Sequence, residues 1–485
     1  MKRFFAIITL ICLMVTMYSI NAFAANDPSA DTVIRIGAEK NNGDYVLIED
    51  KNDFVEGWSA AIVLAEKQEE MKKNGYSRIV VDFYGDWTAG KDGEFCDDGD
   101  GFNWDAIYIP SNVKITLNLN GHTINRAITD TWQYNGEVIY IDSNADVVIN
   151  DGTIKGGFSC NGAGGIHIND DARVVLNNVN VVGNRTDDDD GSGIAVYDGA
   201  TLIMNGGSIS NNTIDNSIHW PPEYFASAMG GAIYVEDSEV ILKNVTIANN
   251  NTLDEYVNGI AISVKDSTLT LDNCTIEENG KTDPDKKYVI GISIILARNS
   301  NVNFVNTTFK NNGECVVSGN DFVAGTDLIR AHDSNIYMDS CTATGNGGKY
   351  LFTLDDVRVN INNSNFIDNK AYVLLAGFIK GQESSFTNCK FNNNDLHTWK
   401  EQSFFIDDPV TFYDCDMGDS EFNYAAAGYA KYINTNEQQG SGTMLGSGSV
   451  AIIASMFATI IAIISIIITI TYNKKKKTVS DIDAK

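Results

Sequence analysis

The chain has 485 residues, with 64 acidic against 35 basic side chains and a net charge of −29 at neutral pH. Such acidity argues against nucleic acid or an anionic membrane surface as partner, and 43% hydrophobic residues over this length suffice for a large core without disulfide staples. The eight cysteines have neither the density of a stapled miniprotein nor the CxxC spacing of a metal site.

In chain order, residues 1–24 read as a secretory signal peptide: Lys2 and Arg3, an apolar run, then the small-x-small triplet Ala22, Phe23, Ala24. Residues 25–105 form an N-terminal cap region in which the spacing over 57–75 (GWSAAIVLAEKQEEMKKNG) predicts an amphipathic helix, followed by a strand over 77–87 (SRIVVDFYGDW). From 106 to 432 one phrase recurs, as in VVINDGTIKGG from Val147, VILKNVTIANN from Val240 and VNINNSNFIDN from Val359. Positions 1, 3, 6 and 8 are apolar or small and position 11 is Asn. The third position runs from Leu119 through Ile149 and Leu176 to Phe412, in steps of 23 to 38 residues.

Repetition at this length means a solenoid. The two-residue alternation, the Val, Ile, Leu and Phe at inward positions and only six prolines make its elements strands. Runs such as IYV, VIL and VTI are separated by a few polar residues, too few for crossover helices, so each turn of chain bends at corners and stacks on the one before. The expected fold is all-β, a parallel β-helix of about 10–11 rungs. The asparagines at position 11 (Asn184, Asn212, Asn250, Asn279, Asn312, Asn346, Asn369, Asn394) are expected at left-handed corners, with amides bonded along the axis. Position 5 carries a second series, including Asn178, Asn244 and Asn273. Cys274, Cys341, Cys389 and Cys415 all stand at position 6, which otherwise holds small residues, so they are expected to pack inward.

After a polar stalk over 433–449, residues 450–472 are uncharged and long enough, at about 1.5 Å per residue, to cross a bilayer as a helix. The lysines at 474–477 then place the tail, 473–485, in the cytoplasm. The expected topology is single-pass in the plasma membrane, with the N-terminus and the β-helix outside.

The phrase ITLNLNGHTINR from Ile115, the GGI from Gly164 and GGAI from Gly230, and units closing in FKNN from Phe309, FIDN from Phe366 and FNNN from Phe391 resemble the pectin-lyase-like superfamily. More narrowly they are similar to surface proteins with polymorphic-outer-membrane-protein-type GGAI and FxxN repeats. The resemblance implies a right-handed helix. It also implies a possible activity on acidic or plant-type polysaccharide, by a hydrolase or a calcium-dependent lyase. The motifs fit poorly: Gly121-His122-Thr123 stands where hydrolases of that fold carry Gly-His-Gly, and no Arg-x-Lys is present. Asp187, Asp188, Asp189 and Asp190, beside Arg185, read either as calcium ligands or as a solvated loop. Calcium is the one cofactor that the sequence suggests.

Length varies mostly after the position 11 Asn, so the insertions should emerge along one edge. The longest contains HWPPEYF, where His219, Trp220, Tyr224 and Phe225 read as a ligand-binding group or as a cover for the side of the helix. The expected function is an adhesion or binding module for extracellular carbohydrate or protein ligands. The polysaccharide lyase or hydrolase is the alternative.

Overall fold

The alternating runs fold as short strands, each hydrogen-bonded in parallel to its equivalent in the next unit. A computed structural model describes residues 31–89, 107–129, 136–187, 189–215, 229–253, 257–281, 292–318, 321–379, 383–396, 410–418 and 430–435. In it Val81 lies in register with Leu117, and the column continues through Ile149, Leu176, Met204, Leu242, Leu271, Phe304, Met338, Ile361, Phe386 and Phe412 to Tyr432. Every member from Val81 to Phe412 is buried, because the third position points into the core. The expected alignment is corrected at its front. Leu117, not Leu119, pairs with Ile149, and the Leu119 N–H instead meets Asn150 O at 2.8 Å where the chain turns. A pattern of period two looks the same after a shift of two, so only pairing decides between them.

Two further sheets complete the rungs, the smaller of them over four rungs among the described residues. One stacks Ile107–Ile109, Ile139–Ile141, Ile166–Ile168, Ile194–Val196, Ile233–Glu236 and Ile262–Lys265 in parallel. The other stacks the pairs Phe158–Ser159, Arg185–Thr186, Thr213–Ile214 and Asn251–Thr252, which lie at the edge where the insertions begin.

The asparagines divide the corner work differently from the expectation. Position 5, for which the sequence suggested only a second series, is the left-handed one, with φ of 49° to 56° at Asn178, Asn244, Asn273, Asn306, Asn363 and Asn388. Position 11 is not. The left-handed residue is the one before it, Gly183, Asn211, Asn249, Glu278, Asn311, Gly345, Asp368 and Asn393, with φ of 52° to 66°. The position 11 amides are free to turn inward, and Asn184 through Asn369 are fully buried. They bond along the axis: each Nδ2 donates to the Oδ1 one rung on at 2.9 to 3.1 Å, from Asn184 to Asn394. The second Nδ2 proton of Asn279 goes to Ile247 O at 2.9 Å, and its Oδ1 also accepts the Asn250 N–H at 2.9 Å. No hydrogen-bonding capacity of that amide is wasted.

Position 6 points inward, as its small residues imply. Cys274, Cys341 and Cys389 are buried, and their thiols meet backbone carbonyls at 3.4 to 3.5 Å. Toward the C-terminus phenylalanine replaces aliphatic residues in the core and the rings stack: Phe366 on Phe391 at 5.0 Å, Phe386 on Phe412 at 4.8 Å.

The cap holds an antiparallel hairpin that the sequence did not announce, β1 (Ile34–Lys40) with β2 (Tyr45–Lys51). β1 also pairs antiparallel with β3 (Tyr76–Phe83), and β3 is already parallel to Lys114–Asn118 of the solenoid. The hairpin therefore covers the lateral edge of the first rung. The predicted helix is two, α1 (Phe54–Glu66), N-capped by Asp53, whose carboxylate accepts the Glu56 N–H at 3.0 Å, and α2 (Gln68–Lys73). They break at Lys67, where ψ is 44°. Trp58, Phe83 and Trp87 bury their rings together with Phe54 over the open end of the core.

By contacts the chain divides into two units, Met1–Ile433 and Asn434–Lys485. Among the described residues no helix is long and apolar enough to cross a membrane. The predicted signal peptide and the predicted span over 450–472 lie outside the described residues.

The amide ladder makes a quantitative contrast. Asn279→Leu strands the groups that Asn279 satisfies above and below it, and should cost at least about 3 kcal/mol. Asn273→Gly, at an exposed left-handed corner, should cost under about 1 kcal/mol. Urea unfolding midpoints followed by circular dichroism check this; equal shifts in the two variants would contradict the ladder's role.

Candidate binding face

The outward positions of the second sheet also repeat once per rung, so their side chains stack. Tyr108, Tyr140 and His167 form one in-register column that continues through Ala195 to Tyr234. Ala195 is too small to fill its place, and Tyr197, two residues on and on the same face, takes it. Ring centroids along Tyr108, Tyr140, His167, Tyr197 and Tyr234 are 5.8, 4.8, 5.1 and 5.6 Å apart. Rings stacked this way use their faces on one another and present their edges laterally.

Those edges are polar and partnered. Tyr108 donates its hydroxyl to Asp142 Oδ2 at 2.7 Å, and Tyr234 donates to Glu236 Oε2 at 2.9 Å. Asn169 donates its amide to the Tyr140 hydroxyl and accepts from His167 Nε2 at 2.9 Å. Burial holds the His167 imidazole below its ordinary pKa, so it is neutral with the proton on Nε2. Its Nδ1 lies over Gly162, where a Cβ would come within 2.1 Å and φ is +114°, so no side chain is tolerated there. Burial opposes ionisation of Asp142, yet the bonds from Tyr108 and Ser143 hold that carboxyl below its usual range. Glu236 is ion-paired with Lys265 on the next rung.

Two aspartates approach this face from the loop before Ile194. Asp190 Oδ1 accepts the Met229 N–H at 2.6 Å, and Asp189 accepts N–H bonds from Gly162 and, at 2.7 Å, from Asp190. Burial first, and then the charge of Asp189, pushes the Asp190 carboxyl up to about 8. At neutral pH it is protonated and can donate a hydrogen bond. Burial and then the charges of Asp189 and Asp190 raise the Tyr197 phenol; burial and then Asp190 raise that of Tyr234, so both stay neutral donors.

The four-aspartate run is thus split. Asp187 is buried at the corner, its N–H bonded to Ser159 O at 2.9 Å; Asp189 and Asp190 approach the aromatic face; Asp188 lies outside the described residues. Among the described residues no group of three or more His, Cys, Asp or Glu side chains converges to hold a metal ion. His219, Trp220, Tyr224 and Phe225 also lie outside the described residues, but both ends of their segment are placed. Asp215 pairs with Arg185 at 3.4 Å, and Met229 packs against the cluster of Ala163, Ala195 and Tyr234. The aromatic stack was not singled out from the sequence. Its signal is the recurring apolar-ring-apolar triplet, IYI from Ile107, IYI from Ile139, IHI from Ile166 and IYV from Ile233.

Residues 112–322 match the sequence model of the family described as "Right handed beta helix region". No curated protein and no solved structure matches the chain. The ladder of the structure runs on in the same register before and beyond the matched segment, from Val81 to Tyr432.

The raised Asp190 carboxyl has a signed consequence. Its folded pKa, about 8, lies above the ordinary Asp value of about 3.9, so the folded state holds the proton more tightly and stability falls as pH rises from about 4 to 8. Asp190→Asn should therefore raise the melting temperature by a few degrees at pH 8 to 9 and leave it unchanged near pH 4. Thermal unfolding across that range checks it, and a stabilisation that does not vary with pH would contradict the assignment.

Proposed function

We propose, for a right-handed parallel β-helix with this face, a binding module displayed outside the cell that recognises an extended, hydroxyl-rich polymer, a polysaccharide, lying along the helix axis. One observation carries the reading: phenol, imidazole, amide and carboxyl groups recur once per rung along one sheet, about every 4.8 Å. A linear chain of sugar rings offers hydroxyls at a comparable repeat, and each rung meets one of them with both donors and acceptors. Rigidity favours such binding, since the scaffold loses little freedom when the ligand docks. Met229, which follows the segment carrying His219, Trp220, Tyr224 and Phe225, packs beside Tyr234, and that segment is read as a further contributor to binding of the same ligand.

Display rests on the two ends of the sequence: the signal peptide over 1–24 and the single span over 450–472, with its lysines inside. The GGAI and FxxN units resemble those of surface proteins with repeats of the polymorphic-outer-membrane-protein type, which fits adhesion.

A second reading, cleavage of the same polymer, draws on Asp190. A protonated carboxyl beside a second carboxyl is the arrangement that delivers a proton to a leaving oxygen.

A glycan array probed with the purified full chain tests the first reading. Tyr140→Phe, which removes the Asn169 partner but keeps the ring, should weaken the best ligand about tenfold with an unchanged melting temperature. Replacement of residues 219–225 by a Gly-Ser loop should do at least as much. Retention of no glycan, or full binding by both variants, would sink the module reading. Release of new reducing or unsaturated ends, abolished by Asp190→Asn, would select cleavage instead.

A further inference from the structure

The core column at position 6 holds a pair of groups that the proposed function does not use. In its C-terminal half it reads Cys274, Thr307, Cys341, Ser364, Cys389, Cys415, one residue per rung. Hydroxyl and thiol alternate until the end, where two cysteines occupy consecutive rungs. We propose that Cys389 and Cys415 are a redox modification site, closing into a disulfide that ties the last repeat rung to the one beneath it.

The geometry carries the assignment. Asp416 N donates to Cys389 O at 2.8 Å and Lys390 bridges Asp416 in parallel, so Cys389 and Cys415 are in register, one strand spacing apart. That spacing, about 4.8 Å between Cα atoms, falls within the range a disulfide spans. The side chains share one orientation. Cys389 Sγ meets Thr387 O at 3.4 Å and Ile361 O at 3.5 Å; Cys415 Sγ meets the equivalent Tyr413 O at 3.3 Å and Phe386 O at 3.5 Å. Cys415 Sγ also accepts the Cys389 N–H at 3.4 Å, in the place where Ser364 Oγ accepts the Cys341 N–H one pair lower. Both thiols are free in the structure, and they lie close enough to hydrogen-bond to each other. Cys274 and Cys341 have no such neighbour, since Thr307 and Ser364 separate them.

Cys415 is the attacking group. It is the more exposed of the two, and the hydrogen bond from Cys389 holds its thiol below the ordinary value while Cys389 is raised by the same contact. The Cys415 thiolate attacks one sulfur of a small-molecule disulfide and expels the other half as a thiolate. Cys389, losing its proton, then attacks Cys415 Sγ in the mixed disulfide and expels the second half. Two protein thiols and one disulfide become one protein disulfide and two small thiols.

The purified full chain, incubated with oxidised glutathione, unfolded in the presence of an alkylating agent and digested, gives the test by mass spectrometry. The expected product is a linked peptide pair containing Cys389 and Cys415, lighter by two hydrogens than its parts and lost on reduction, with Cys274 and Cys341 alkylated. Reduction of the oxidised chain should speed limited proteolysis of the rungs beyond Ser385 about tenfold or more. In Cys389→Ser the second attack is impossible, and Cys415 should remain as the glutathione mixed disulfide. Mapping of the unsubstituted chain stands alone if that variant fails to fold. Alkylation of both Cys389 and Cys415 after oxidation, or their linkage to other cysteines, would overturn the assignment.

Discussion

The fold depends on translational register: each inward group must meet its own equivalent one rung away. The buried Asn ladder states that constraint most strictly. A core of valine, isoleucine and leucine tolerates a slip of two residues, because the pattern has period two. A buried primary amide does not, since a slip would strand two donors and an acceptor away from water at every rung. Asn184 to Asn394 hold the stack to one alignment, and between them the chain can insert loops of any length at the corner that follows. Uneven spacing along the sequence and exact repetition in space are therefore compatible.

The same translation that orders the core also orders the surface. Inside, it aligns methyl groups and, toward the C-terminus, phenyl rings. Outside, on the second sheet, it aligns Tyr108, Tyr140, His167 and Tyr234, with a row of carboxyls and amides beside them. Neutral donors sit among charged acceptors on this face because burial suppresses ionisation of His167, Asp190, Tyr197 and Tyr234. A face able both to donate and to accept is suited to hydroxyl groups, which do the same.

Much of this was legible in the residues and some was not. Strand direction, stacking and the inward cysteines follow from position-specific composition. The left-handed corners are expected at position 11 but lie one residue earlier, and position 5 is left-handed too, because Asn serves both roles, as a tolerant backbone and as a buried amide. Where Gly183, Asp368 or Glu278 takes the corner instead, the amide role is seen to belong to Asn alone. The hairpin of the cap has no repeat to announce it, and pairing with Tyr76–Phe83 is what makes it a strand pair. The aromatic stack is faint in the sequence, since each triplet contributes one ring, and rings tens of residues apart become neighbours only through the rung spacing.

By itself the sequence determined the class of fold, the direction of each side chain within a unit and the acidity of the outer surface, because these follow from local period and residue type. Tertiary structure alone decided which rungs meet in register, which corner residue turns left-handed, and which distant groups share an environment. Asp187 and Asp190 make the point: they are three residues apart in one acidic run, yet one is buried at a corner and the other holds its proton beside Tyr197 and Tyr234. Position along the chain sets charge, but burial and neighbours set whether that charge exists.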